Sequence, residues 1–327
     1  MKPIRLMTYR NGSAIPTLPE QSLSNSSELF QVYGQTPGYT PILVVASIDE
    51  TPIAKLQAVI RRSVRIFPPS LIKRCEIFGI GEYFNDTYSQ EELFGLMLEH
   101  LTNEVLKDCF LIEFRNLPTA LFGYKHFRRN GYFPINWIRV YNSLHNLSPE
   151  ERLESKRKRQ INRSFKYGVT LQEAQTEEDK KTFLQLLKLH YSSKLRKHFP
   201  DTKLFQLLTQ GSTTGNISRI FTVKYKNRII GGSFCMYSCD RAYLCFSFGL
   251  CKTFSWLHPN TMAIWAALID AYQRGYPHFE FIDAGLPFQK VGYRNFILSF
   301  GGKQVSTRRW FRFRWEWINK LFTKLYQ

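Results

Sequence analysis

One order of elements occurs twice along this chain of 327 residues, and that repeat limits what it can fold into more than any other feature. In the first half, PILVVASIDETPIAKLQAVIRR places two β-rich runs on either side of an Asp-Glu-Thr-Pro turn, with the small Ala54 just after it; such a pattern predicts a hairpin. A helix is predicted over QEELFGLMLEHLTNEVL, where Leu93, Leu96, Met97 and Leu101 recur at helical spacing. The strand CFLIEF then runs up to Leu117-Pro118. In the second half, ISRIFTVKYKNRIIGGSFCMYS turns at Lys226-Asn227, again with small residues, Gly231 and Gly232, after the turn. AYLCFSFGL extends that sheet, and TMAIWAALIDAYQRG predicts a helix capped by Asn260 and stopped at Gly275. HFEFIDAGLP is a strand that again ends on Leu-Pro, at Leu286-Pro287. The expectation is an α/β (α+β) fold of two tandem domains, 1–147 and 148–327, each with a mixed, largely antiparallel sheet flanked by helices.

Charge is spread unevenly. The formal net charge is +19, yet residues 1–100 hold 9 basic and 10 acidic side chains. The excess therefore belongs to the middle and the C-terminal part, where it attracts anions such as RNA, phosphorylated cofactors or an acidic membrane face. Its densest element is SKRKRQINRSFKYG, in which Lys156, Arg159, Arg163 and Lys166 make a cationic stripe on one side of a predicted helix. Just upstream, Ser148 and Pro149 open another predicted helix as cap and first residue. Thr176 caps a further one, whose apolar face carries Phe183, Leu187 and Tyr191. Four of six cysteines, Cys235 to Cys251, fall within seventeen positions. They sit inside apolar runs and not in the close pairs on turns that hold zinc, so buried thiols in a reducing compartment are expected and no metal. No signal peptide or membrane span is visible, which predicts a cytoplasmic protein. The C-terminal RRWFRFRWEWINKLFTKLYQ continues from a basic-aromatic strand into an amphipathic helix. That helix either packs on its own domain or meets the inner face of an anionic membrane.

The duplicated order resembles that of the acyl-CoA N-acyltransferase (GNAT) superfamily, and two such halves in tandem resemble its FemAB-like and BioF2-like acyltransferases. Three segments carry the resemblance: Ser155 to Leu171, a basic helix closing on Lys-x-Gly before a strand; His258 to Gly285, a helix and an Asp-ending strand; and Tyr293 to Lys303, the YRNFILSFGGK ending. Two positions depart from the pattern. Ile297 follows Phe296 where the family often has lysine, and the loop CKTFSWLHPN has no glycine. The resemblance implies N-acyl transfer from acyl-CoA or aminoacyl-tRNA to an amine of a cell-envelope, lipid or polysaccharide precursor. Such chemistry needs a grip on the donor's phosphates, stabilisation of the carbonyl oxygen and a route for the amine's proton.

Candidate residues are set by those needs. Lys252, His258, Asn260 and Thr261 surround a predicted helix start, where free N–H groups and the dipole favour an anion. Asp283 ends an apolar strand and is the candidate base, unless it only caps the next turn; Glu113 ends the matching first-half strand. Tyr293 can protonate a leaving group. Lys290 and Arg294, with the stripe Lys156, Arg159, Arg163 and Lys166, can bind a phosphorylated or anionic substrate or tRNA. Two other readings stay open: a non-catalytic RNA- or tRNA-binding protein, in which Arg157 joins the stripe, and a degenerate GNAT pair serving as a scaffold for envelope enzymes.

Overall fold

A computed structural model describes residues 3–12, 15–62, 73–117, 119–192, 199–210, 217–282, 284–289 and 292–326. Its elements run β1 (Arg5–Arg10), α1 (Ser27–Gln35), β2 (Tyr39–Ile48), β3 (Thr51–Arg62), β4 (Lys73–Phe78), β5 (Glu82–Tyr83), α2 (Gln90–Val105) and β6 (Leu111–Arg115). They continue with α3 (Tyr124–Arg129), β7 (Phe133–Ser143), α4 (Pro149–Arg152), α5 (Ser155–Lys166), β8 (Thr170–Glu173), α6 (Glu177–Ser192), α7 (Thr202–Thr209) and β9 (Ser218–Tyr225). The last are β10 (Arg228–Tyr237), β11 (Arg241–Gly249), α8 (Pro259–Gln273), β12 (His278–Phe281), α9 (Gly292–Leu298), β13 (Lys303–Phe313) and α10 (Glu316–Leu325). The expected mixed α/β class, with largely antiparallel pairing and flanking helices, is what these elements form.

The chain divides into two compact units: Met1–Trp137 with Ser306–Gln327, and Ile138–Val305. In the first, the strands lie in the order β1-β2-β3-β4-β6-β13, and β4 with β6 is the parallel pair. In the second they lie β8-β9-β10-β11-β12-β7, and β11 with β12 is the parallel pair. In each unit the last strand of this order comes from elsewhere in the sequence. Trp310–Phe313 pair with Leu111–Phe114, and Val140–Ser143 pair with His278–Phe281. The division between the units lies at Trp137/Ile138, and the C-terminal segment from Ser306 belongs to the first unit.

The two hairpins agree in detail. Asp49 and Glu50 turn the first with φ of 47° and 66°, and Lys226 and Asn227 turn the second with 47° and 61°. Two consecutive left-handed residues suit the right-handed twist of the flanking strands. After each turn the register slips by one residue, leaving Ile53 extra in β3 and Ile230 extra in β10. The small residues then have a reason. A Cβ on Gly232 would lie 2.4 Å from the Phe221 carbonyl oxygen and 2.9 Å from the Phe183 ring. Gly232→Ala is therefore expected to destabilise the second unit by about 1–3 kcal/mol through overpacking, read as a lower denaturation midpoint at unchanged m-value.

Each unit has its own core. Helix α2 buries Leu93, Phe94, Met97, Leu98, Leu101 and Val105 against the first sheet. Leu96 falls off that stripe and is 42% exposed, contrary to the spacing argument. Helix α8 is buried over most of its length by Met262, Ile264, Trp265 and Leu268. Ser148 and Glu151 form the capping box that opens α4, and the Thr176 hydroxyl accepts from the Asp179 N–H at the start of α6. No helix among the described residues is long and apolar enough to cross a membrane.

Candidate functional site

The second unit contains a place where its parallel strands cease to match. β12 pairs with β11 from Arg241↔His278 to Leu244↔Phe281 and then ends, while β11 continues to Gly249. Cys245 is the extra residue where the register of β10 against β11 shifts. Beyond it, the edge of β11 that faced β12 has no paired strand among the described residues. Backbone groups on such an edge need partners from elsewhere.

The end of β11 leads into the start of α8. A Cβ on Gly249 would lie 2.5 Å from the Asn260 backbone nitrogen, so only glycine lets strand and helix start approach so closely. A single 3₁₀ turn, Ser255–Leu257, precedes His258, which takes a left-handed conformation (φ 47°) as the N-cap. Pro259 then occupies the first helical position, as its fixed φ and missing N–H allow. The expected cap, Asn260, is thus two residues too late, because the helix starts before it. Its backbone N–H faces the Cys251 thiol, which partial burial pushes up and this N–H pulls back. Thr261 is buried, with its hydroxyl 3.4 Å from Gln160 Oε1, while Lys252 is exposed on the preceding turn.

Helix α5 packs beside this start through a face that the charge stripe conceals. Ser164 donates to the Leu257 carbonyl at 2.8 Å, just before His258. The Arg157 guanidinium lies 4.5 Å from the Phe296 ring centre and donates to Ser299 Oγ at 2.6 Å and Gln160 Oε1 at 2.5 Å. Arg157, Gln160, Ile161 and Ser164 therefore form the inner face, at spacings of three and four. Arg157 had been placed only with the outer stripe and Gln160 not at all; their spacing around Ile161, the one aliphatic side chain of α5, was the available signal. The stripe of Lys156, Arg159, Arg163 and Lys166 is exposed on the outer sides. Of these, Arg163 lies near enough to act on His258. Burial, then Arg163 and Arg157, hold the imidazole below its usual value, so it is largely neutral at pH 7.

Asp283 and Lys290 lie outside the described residues. Tyr293 opens α9, 37% exposed, with its ring centre 6.4 Å from that of Phe296. Arg294 is 8% exposed, and its guanidinium donates to the carbonyls of Ala284, at 2.9 Å, and Leu286. It braces the turn after β12. Glu113 is likewise occupied, held by Arg74, Arg115 and Arg309. Cys75, Cys109 and Cys235 are buried free thiols, Cys239 is exposed, and the described residues contain no group of metal-ligating side chains.

Residues 153–290 match the acetyltransferase (GNAT) domain family, a segment that includes α5, the splayed β11 and the start of α8. No curated protein matches the sequence. Among solved structures, FemX superposes with a TM-score of 0.64 at 11% identity, over 93% of this chain and 94% of that one. A tandem GNAT protein from the clavulanic acid biosynthesis pathway does so with 0.53 at 9%, over 86% and 85%. The C-terminal domain of a protein described as a lysylphosphatidylglycerol synthetase from Agrobacterium fabrum gives 0.53 at 12%, over 82% and 83%. At these identities the likeness is one of fold. Matched domain and fold together define an acyltransferase of the GNAT class.

Proposed function

We propose that the chain is an N-acyltransferase that takes an acyl group from acyl-CoA and delivers it to an amine of an anionic cell-envelope, lipid or polysaccharide precursor, on the cytoplasmic side. The observation that carries this reading is the start of α8. A helix N-terminus, a neutral His258 and the cationic Arg163 meet there, beside the unpaired edge of β11 and inside the matched domain. Phosphate oxygens suit that set: the guanidinium supplies charge, the imidazole supplies a hydrogen bond, and the helix start supplies a positive dipole end. Lys252 stands on the adjoining turn as a further cation. A bound acyl-CoA would supply the activated carbonyl. The chain's own part is to hold the donor, accept the amine's proton and return a proton to the leaving group, for which last two steps Asp283 and Tyr293 respectively are the proposed groups. The lysylphosphatidylglycerol synthetase likeness supports a lipid or envelope acceptor, and the likeness to a tandem GNAT protein supports a two-unit arrangement.

The test is the melting temperature of the purified protein against CoA, acetyl-CoA and a long-chain acyl-CoA. A ligand that binds only the folded state stabilises by about 2.7 kcal/mol at a hundred times its Kd, so a dose-dependent rise is expected, together with acyl transfer to an amine acceptor. No rise with any CoA, but binding of aminoacyl-tRNA, would change the donor and keep the class of reaction. Failure to transfer an acyl group from either donor would end the reading.

A further inference from the structure

Helix α10 carries a surface that the acyl-transfer reading does not use. Its inner side packs within the first unit. Asn319 donates to the Gly131 carbonyl at 2.6 Å and accepts from the Phe313 N–H at 3.1 Å, while Phe322 stacks on Phe133 and packs at a tilt against Phe313. Its outer side presents Trp317 and Leu325, each 67% exposed, and Leu321, 51% exposed. These residues, four apart, form one row. Trp315, 53% exposed, stacks beside Trp317 with ring centres 6.4 Å apart. Lys320 and Lys324 border the row, Arg314 is exposed at its head, and the one acid of the helix, Glu316, is paired with Arg312.

We infer that this face docks the protein on an anionic phospholipid surface. Tryptophan and leucine in a row flanked by lysines match both layers of a bilayer's edge: apolar rings and chains enter the headgroup boundary while the ammonium groups stay among the phosphates. Charge complementarity selects this occupant. The face carries three cations, and its single carboxylate is already neutralised, so a protein partner would need an acidic apolar groove where an anionic membrane offers both features at once. Each basic residue near such a surface raises the partition coefficient about fivefold. The inference stands apart from the donor, because α10 lies in the first unit and the matched domain lies in the second.

The experiment is co-sedimentation of the full chain with vesicles of phosphatidylcholine alone and of equal phosphatidylcholine and phosphatidylglycerol. Binding to the anionic vesicles alone is expected, weakening as salt rises. A Trp317→Ser, Leu321→Ser variant is expected to lose at least tenfold in binding, and Lys320→Glu, Lys324→Glu the greater part of the salt-sensitive share. All four side chains are exposed, so both variants are expected to keep the parent melting temperature. Absence of binding to anionic vesicles, or binding that neither variant weakens, would overturn the inference. So would a dimer of the parent chain that Trp317→Ser, Leu321→Ser dissociates, since the face would then be an interface between two copies.

Discussion

Glu113→Ala is expected to destabilise the first unit by about 3 kcal/mol, the low end of the cost of removing one partner from a buried ion pair. The side chain is almost wholly buried on β6, and both its oxygens are engaged: Oε1 accepts from Arg309 at 3.1 Å, and Oε2 from Arg115 at 2.9 Å and from Arg74. Arg309 is 8% exposed, so without the carboxylate its charge loses a buried counter-charge, whereas Arg74 and Arg115 reach water. Glu76, on the adjacent strand, is gripped by Arg61 and Arg115 and would keep part of the network. On a unit of this size the change is a fall in melting temperature on the order of ten degrees. Glu113→Gln, which keeps the shape and the acceptor but not the charge, is expected to fall between variant and parent. A melting temperature within a degree or two of the parent would show that the arginines find water.

The same network fixes the sign of the pH dependence. Burial alone would raise Glu113 and Glu76, but the surrounding arginines overcome it and hold both carboxyls below the usual carboxylate range. Groups with a depressed folded-state value stabilise fully above the unfolded value, about 4.3 for glutamate, and lose that stabilisation as pH falls through the folded value. The parent's melting temperature is therefore expected to drop more steeply than that of Glu113→Ala below roughly pH 4.

Glu113-Phe114 has a counterpart in Glu280-Phe281, where the carboxylate is held by Arg139 at 2.7 Å and Arg241 at 3.1 Å. Each glutamate is the third residue of its unit's parallel strand. That match was not legible in the sequence, where Glu113 was set against Asp283, but local features were. The turns Asp49-Glu50 and Lys226-Asn227, the capping box at Ser148 and the α2 and α8 helices rest on interactions within a few residues, which pattern and propensity report. Partner choice over long separations was not legible. Alternation in RRWFRFRW identifies a strand, but nothing in it says that Arg309 meets Glu113, 196 positions away. The candidate site divides on the same line. His258 and the helix start were found from a local signal, though its cap was misplaced by two residues. Arg294 looked like a free loop cation because its acceptors are backbone carbonyls, which no side-chain pattern marks. Arg157 was hidden because its partners Phe296 and Ser299 belong to α9 and the residue after it.

Acyl-CoA binding is expected to weaken roughly a hundredfold in the double variant Arg163→Ala, His258→Asn, at about tenfold for each contact, the low end for hydrogen bonds to a charged group. Asparagine is chosen at 258 because the position is a left-handed N-cap, which asparagine tolerates and alanine does not. The helix start is then preserved, and Arg163 is exposed, so the ligand-free melting temperature is expected to stay close to the parent's. At alkaline pH, where the imidazole stays neutral, the single variants separate charge from hydrogen bonding: loss at Arg163 should shrink as salt rises, and loss at His258 should not. Proton linkage gives a second readout. A phosphate beside His258 raises an imidazole that burial, Arg163 and Arg157 hold down, so the parent is expected to take up protons on binding and to bind more tightly as pH falls from 7 toward 6. His258→Asn is expected to lose that slope, measured by calorimetry in two buffers of different ionisation enthalpy. A donor that binds the double variant as tightly as the parent, with the same proton uptake, would place the phosphates away from the start of α8.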